Sequence, residues 1–376
     1  MKESAIYVHI PFCDHKCIYC DFYSVVNKTE VNNYQEKILN EIQYYSNEYS
    51  QDRIFTSIFL GGGTPSLMEP EYIDTILNAI KAQYNIDPHS EVTLETNPGT
   101  VDLQKLKDFH SIGINRISIG VQSFINEELK FLTRIHDKDT AIKAVCDAEK
   151  AGFNNISIDL IYNLPGQTKD SWVYNLETAV NLPIKHISAY SLILEGGTQL
   201  NKLVKDGKIV LPDIDYDGEI YELTIDTLKQ NSFHQYEVSN YAKQGYECMH
   251  NKAYWHYRDY LAFGASAHSF MNGRRWWNYS NLRLYMLKID ELGNAVAGYE
   301  ELTQEQMLSE FIMLALRSSG LDLQILKQKF GNDWINNRQS YLKALERRGL
   351  IYFQEEMITL TKKGYAVCDE ILEKIL

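Results

Sequence analysis

The sequence predicts an α/β fold of parallel strands joined by helical crossovers, followed by a smaller, mainly helical unit. Over the first 270 residues, short apolar runs alternate with amphipathic stretches, and unusual loop sequences follow the ends of the apolar runs. A composition change across "GNAVAGYEELT", near 295 to 303, marks where that rhythm stops.

The strand candidates are "AIYVHI" (5–10), "IFTSIFL" (54–60), "EVTLET" (91–96), "NRISIGV" (115–121), "NISIDLI" (155–161) and "HISAYSL" (186–192). Helical stretches between them include 69–84 and 137–152, the latter stopping on Gly152. Six such strands curl into a partial or complete parallel α/β barrel, whose post-strand loops line one mouth. Pro11 to Cys20, "GGGTP", Glu95 to Pro98, "GVQS" and "YNLPGQ" occupy those positions after the first five strands. They are expected to feed one site.

After the composition change come helices in "QEQMLSEFIMLALRSSG" and "DWINNRQSYLKALERRG", then a two-stranded ribbon in "LIYFQEEMITLTKKG". Helices followed by a ribbon are winged-helix-like, so the expected division is 1–295 and 296–376. Such a unit invites the question of DNA binding. Only Lys343, Arg347, Arg348, Lys362 and Lys363 would serve it, and the chain's net charge of −13 opposes contact with phosphate backbones. No nucleic-acid partner is expected.

With 376 residues and 44% hydrophobic content, the chain can bury a substantial core. No apolar run reaches the length of a membrane span, and "MKESAIYVHIPFC" lacks the layout of a secretory signal, so a cytoplasmic protein that is not integral to a membrane is expected. Thiols stay reduced there. Clustered cysteines then read as metal ligands or catalysts rather than disulfides.

Three of the six cysteines fall in "PFCDHKCIYCDF", as Cys13, Cys17 and Cys20 in the pattern C-x3-C-x2-C. A structural zinc takes four ligands, and with no second C-x2-C the fourth would have to be His9 or His15. A 4Fe-4S cluster held by three thiolates instead keeps one iron open to an external chelating molecule. Cys146 and Cys368 sit in helical patterns and read as small core residues.

The cysteine triplet after a first strand, with "GGGTP" after a second, resembles the radical S-adenosylmethionine superfamily. The resemblance implies that the open iron binds S-adenosylmethionine and that the reduced cluster cleaves it to methionine and a 5′-deoxyadenosyl radical. Glycines 61 to 63 are expected to let backbone approach the methionine part closely, and Glu95 to hold the ribose or the ammonium.

"YVHIPFC", "GGGTPS", "LETNPGT", "GINRISIGVQSF", "RIH", "SIDLIYNLPGQT" and "YEVSNYA" run in an order similar to the oxygen-independent coproporphyrinogen III oxidase family, over roughly residues 5 to 270. Carried over, that resemblance places Tyr7, Tyr19, Gly62, Gly63, Thr64, Glu95, Gln122, Arg134 and Asp159 against S-adenosylmethionine. Two departures weigh against oxidase chemistry: Phe22 stands where the oxidase has a further cysteine, and the oxidase's extended N-terminal segment has no counterpart here. They point to the sister branch of HemW-type haem chaperones.

That branch is associated with an H-N-x-x-Y-W motif, matched by His250, Asn251, Tyr254 and Trp255. The resemblance makes His250 the expected haem ligand, with the rings packing on a porphyrin face. Cys248 lacks the C-x-x-C-H context of covalent haem attachment. Asn163 and Ser266, where relatives often carry glycine, read as minor loop variations. The expected function is to bind haem and hand it to acceptor proteins such as membrane-bound respiratory enzymes. The alternative is a coproporphyrinogen oxidase that decarboxylates propionate side chains, and the sequence leaves open whether S-adenosylmethionine cleavage is used.

Overall fold

The computed structural model describes residues 1–376, except the side chain of Ile214. The first unit contains β1 (Lys2–Ile10), α1 (Val31–Tyr49), β2 (Arg53–Gly62), α2 (Pro70–Gln83), β3 (Ile86–Thr96), α3 (Leu103–Ser111), β4 (Arg116–Gln122), α4 (Asn126–Phe131), α5 (Lys138–Lys150) and β5 (Asn155–Tyr162). It continues through α6 (Lys169–Val180), β6 (His186–Ser191), α7 (Gln199–Lys205), α8 (Ile214–Gln230), β7 (His234–Gln235), β8 (Asn240–Ala242), α9 (Met249–Trp255), β9 (Asp259–Phe263), β10 (His268–Met271), β11 (Arg274–Asn278), α10 (Leu282–Leu292) and β12 (Val296–Glu301).

Strands β1 to β6 pair in sequence order and parallel, as the crossover rhythm predicts. A seventh parallel strand, β9, lies against the other side of β1, held there by the buried Arg53–Asp259 ion pair. The antiparallel strands β10, β11 and β12 extend that edge, and β8 and β7 extend the other. The sheet is open, with β12 and β7 as its edges, so the architecture is the partial barrel and not the complete one. Among the described residues, no helix is long and apolar enough to cross a membrane.

Each parallel strand alternates strictly. Ile6, Val8 and Ile10 on β1, Ile58 and Leu60 on β2, Val92 and Leu94 on β3, Ile117, Ile119 and Val121 on β4, and Ile156, Ile158 and Leu160 on β5 join the large apolar core under the helices. The residues between them form the other face: Tyr7 and His9, Ser57 and Phe59, Thr93 and Glu95, Arg116 and Ser118, Ser157 and Asp159. One face carries the hydrophobic stabilisation; the other carries polar chemistry.

The helices start and stop where local chemistry dictates. Asp102, Asp137 and Thr168 accept from the third residue onward at the starts of α3, α5 and α6. Helix α5 ends just before Gly152, whose φ of +105° suits glycine.

The remainder holds α11 (Gln304–Leu316), β13 (Leu321–Asp322), α12 (Leu323–Phe330), α13 (Asp333–Arg347), β14 (Ile351–Gln354), β15 (Met357–Leu360), α14 (Lys362–Ala366) and α15 (Cys368–Ile375). The expected ribbon is β14 and β15, to which β13 adds a third strand. These elements enclose their own apolar cluster around Ile312, Leu326, Leu345, Ile358 and Ile371. Strand β12, by contrast, belongs to the large sheet through β11.

Candidate functional site

Because β1 to β6 are parallel, their post-strand loops meet at one end of the sheet. The cysteine loop folds back on itself there: the Val25 N–H donates to the Pro11 carbonyl (2.8 Å) and the Cys13 N–H to the Val25 carbonyl (3.0 Å). The glycine loop is bonded directly to it, Gly63 N–H to the Ile10 carbonyl (2.9 Å) and Thr64 N–H to the Phe12 carbonyl (2.8 Å). A Cβ on Gly63 would lie 2.6 Å from the Pro11 carbonyl carbon, and one on Gly62, at φ +112°, 2.5 Å from the His9 ring. The space over these two glycines is filled by the chain itself. Glycine at both positions therefore lets this loop close on β1 and on the cysteine loop.

All six cysteines are free. Cys13 is buried with its Sγ 3.5 Å from Thr64 Oγ1; Cys17 and Cys20 are half-buried. Burial raises the Cys13 thiol and pushes Cys20 up to about 11. Among the described residues, no three His, Cys, Asp or Glu side chains close up as they would around a single ion. The fourth zinc ligand considered from sequence is also engaged: His9 Nε2 donates to the Tyr23 carbonyl (2.9 Å) and Nδ1 accepts from the Tyr7 hydroxyl (3.1 Å). His15 is exposed.

Arg134 ties four loops together. It donates to Cys17 Sγ (3.7 Å), to the Gly120 carbonyl (2.8 Å) and to Asn97 Oδ1. Asn97 in turn donates to Thr64 Oγ1 (2.9 Å). Tyr19 packs beside this guanidinium, its hydroxyl held neutral by burial. Arg134 Nε is buried without a partner among the described residues, a donor left over for a ligand. Three free thiols, a leftover guanidinium donor and a glycine loop bonded beneath them fit an iron–sulfur cluster with a polar chelator. Asn97 was missed by sequence reading; its only signal is an Asn-Pro pair after a strand.

Further in, Glu95 accepts from the Gly62 N–H (3.0 Å), and burial, then the neighbouring Asp159 charge, pushes its carboxyl up to about 7. Asp159 is raised by burial and accepts weakly from Ser118 (3.4 Å). Burial, and secondarily the Glu95 charge two strands away, raises the Tyr7 hydroxyl pKa. Gln122 ends β4 buried, at φ +68°. The nine positions expected at S-adenosylmethionine therefore gather on the polar face and the loops above it. Thr64 and Arg134 are joined through Asn97, and Gly62 is bonded to Glu95.

His250 is placed differently from expectation. Its ring is 2% exposed, stacked on Phe59 at 5.0 Å, with Nδ1 3.1 Å from Ser57 Oγ and Nε2 2.9 Å from the Tyr254 hydroxyl. Burial, and secondarily Arg116, lowers its pKa to about 3. Both nitrogens are occupied, and the ring lines neither of the two cavities beside the cysteine loop. The arrangement does not fit haem ligation by His250, because a buried imidazole must surrender a hydrogen bond before it can bind iron. Cys248 beside it is also buried, bonded to Glu91.

Two cavities flank the cysteine loop. One, of about 360 Å³, is lined by Lys16, Cys17, Cys20 and the 196–199 turn. The other, of about 350 Å³, lies between the Asp21–Tyr23 segment, Tyr7, Tyr254, Tyr260 and the 266–268 segment. Both reach the lower part of the range of ligand pockets, about 300–1,000 Å³.

Family models and relatives match this chain along most of its length. The model of the radical SAM superfamily matches residues 7–179, and that of the HemN C-terminal domain matches 302–367. The heme chaperone HemW of Bacillus subtilis is 34% identical over 373 residues, covering 98% of each chain. That of Escherichia coli is 40% identical over 275 residues, 72% of this chain and 71% of the relative. The solved structure of coproporphyrinogen III oxidase (HemN) from Escherichia coli, a radical SAM enzyme, superposes with a TM-score of 0.85 at 24% identity, covering 100% of this chain and 90% of that one, which shows a shared fold. The chain belongs to the HemW heme chaperone family of the radical SAM superfamily.

Proposed function

We propose that this protein is a haem chaperone built on a radical S-adenosylmethionine site, binding haem and passing it to acceptor proteins, respiratory enzymes among them. The weave of Arg134 and Asn97 around Cys17 and Thr64 carries the cofactor part of this reading, since it presents three free thiols beside an unused donor. Cys13, Cys17 and Cys20 would hold a 4Fe-4S cluster, and Tyr7, Tyr19, Gly62, Gly63, Thr64, Glu95, Gln122, Arg134 and Asp159 would surround S-adenosylmethionine. When bound, cluster and S-adenosylmethionine together supply one-electron cleavage chemistry. Arg134 holds Cys17 in place through its N–H donation to the sulfur. Glu95 offers a carboxylate to a ligand ammonium or hydroxyl.

The haem part rests on relatives named heme chaperone that match along nearly the whole chain. Phe22 supports it against oxidase chemistry: where the oxidase has a further cysteine, this chain carries a phenyl ring 63% exposed at the cavity mouth. We also divide the chain into a barrel unit and a C-terminal unit, with the boundary near 302 rather than after 295, because β12 pairs with the large sheet.

The test is anaerobic reconstitution with iron and sulfide, then ferric haem titration beside an assay of coproporphyrinogen decarboxylation. The expected result is about four irons per chain, stoichiometric haem binding and no decarboxylated product. Decarboxylation without haem binding would replace the chaperone by the oxidase.

A further inference from the structure

Ten histidines occur in the chain, and two of them, His9 and His268, line the 350 Å³ cavity beside the cysteine loop. His9 has both nitrogens engaged, by Tyr7 and Tyr23. His268 is exposed at the start of β10, and among the described residues neither of its nitrogens has a hydrogen-bond partner. The Trp277 ring stacks against it at 6.0 Å and 25°, fixing its plane from behind.

The opposite wall is aromatic. Phe22 and Tyr23 follow Cys20 after Asp21, and Tyr254 meets Tyr260 edge to face at 4.6 Å. An exposed phenyl ring at a cavity rim buries apolar surface only when something flat and apolar enters. The segment carrying His268 is also firmly held. The Gly264 N–H donates to Glu41 (2.8 Å), the Ala265 N–H to the Tyr34 hydroxyl (2.9 Å) and the Ser266 N–H to the Tyr279 carbonyl (3.1 Å), so the imidazole sits on a pre-organised support.

We propose that His268, not His250, is the axial ligand of haem in this chain, with the porphyrin lying in the cavity between the Phe22–Tyr23 segment and the Tyr254–Tyr260 pair. His250 is then a positioning residue: its Nε2 fixes the Tyr254 hydroxyl, and Tyr254 lines the cavity. This accounts for the H-N-x-x-Y-W stretch without requiring a buried, doubly bonded imidazole to reach iron. Burial, and secondarily Arg275, lowers the His268 pKa, which leaves a neutral ring near pH 7 as ligation requires. The site lies within two residues of Cys20, so ligand and cluster would be neighbours.

The assignment rests on the haem-binding reading above, and ferric haem titrated into the full-length chain separates the two. Wild-type protein is expected to bind with a ligand-dependent Soret band. His268→Ala should shift that band and weaken binding at least tenfold, and added imidazole should restore the band position, which repair of a purely structural defect would not do. His250→Gln should keep the wild-type band, with affinity reduced at most a few fold. A wild-type spectrum and affinity in His268→Ala would overturn the assignment, and a band lost only in His250→Gln would return the ligand to His250. If the unaltered chain binds no haem, the chaperone reading itself fails, before any variant is made. Circular dichroism of each variant shows that it is folded.

Discussion

Ser266 and Asn163 adopt φ of +65° and +63°, in the left-handed region that side chains with a Cβ visit at a cost. That is the physical reason for glycine at both positions in relatives, and it makes these two departures more than loop variation. Asn tolerates the conformation best, and its N–H gains Gln167 Oε1 at 2.8 Å; the Ser266 N–H donates to the Tyr279 carbonyl (3.1 Å), and its side chain meets only the Ser280 hydroxyl, at 2.9 Å. Ser266→Gly is expected to stabilise the fold by about 0.5 kcal/mol, while Ser266→Val, β-branched at positive φ, should cost about 2 kcal/mol. Urea midpoints decide it: equal stability of the two variants would mean the backbone is not strained there. Glu95 gives a second expectation. With a folded pKa of about 7 against a usual 4.5, its proton is held longer in the folded chain, so the stability it contributes falls as pH rises from about 4.5 to 7. If its carboxylate binds the ligand ammonium, affinity for S-adenosylmethionine should instead rise several fold from pH 6 to pH 8, and Glu95→Gln should be weak and flat across that range. Equilibrium dialysis at the two pH values checks this; a flat wild-type profile would remove Glu95 from ammonium recognition. The cysteines and "GGGTP" were legible because they are short linear patterns. Asn97 and His268 were not, and His9 was read only as a possible zinc ligand, since their places come from loops and strand faces that meet only in three dimensions.

At the scale of elements, strand positions were readable because each strand is a compact apolar run between loops, and β1 to β6 fall where those runs lie. Which alternate residues face the helices was not read from them, because the polar face is built largely of Ser, Thr, Tyr and Phe rather than of charges, which blurs the period. Strand β9 escaped because its pairing, Ser4 with Asp259, spans most of the barrel unit and its sequence follows closely on the stretch read as a haem motif. It is also held by a side chain far away in sequence. Glu41 on α1 is fully enclosed and accepts from the Gly264 N–H (2.8 Å), the Tyr285 hydroxyl (2.7 Å) and Asn278 Nδ2 (2.6 Å), joining α1, the turn after β9, β11 and α10. Nothing in the pattern of α1 singles that glutamate out. Glu41→Ala leaves the Gly264 N–H and the Tyr285 hydroxyl without an acceptor and takes one of two acceptors from Asn278 Nδ2, and is expected to cost about 3 kcal/mol, with Glu41→Gln milder because its carbonyl still accepts. A loss under 1 kcal/mol in urea unfolding of the alanine variant would show that water replaces the carboxylate freely.

The whole molecule contains two large apolar cores, besides a small cluster around Leu132, Leu164 and Leu200, and the two large cores are joined mainly through polar and aromatic contacts. The larger of the two lies under the sheet and the other within α11 to α15. Between them, the Tyr257 hydroxyl donates to Glu310 (3.0 Å), Arg275 reaches the same carboxylate (2.7 Å), Val238 N–H meets the Arg317 carbonyl (3.0 Å), and Lys362 pairs with Asp226 (2.6 Å). Glu310 is the centre of this junction, since Tyr257 and Arg275 come from different parts of the barrel unit beside the cavity region. Both members of the Arg275–Glu310 pair are largely covered, so solvent screens them less than a surface pair. Glu310→Ala removes two bonds to a charged acceptor and should lower the stability of the C-terminal unit by about 1–2 kcal/mol. Because each unit has its own core, the loss should stay local. Hydrogen exchange is expected to speed up about tenfold in residues 311–375 while β2 to β5 keep their protection. If protection falls equally in both, the chain opens as one cooperative body, and the C-terminal unit is a structural part of the barrel rather than a module docked beside its site.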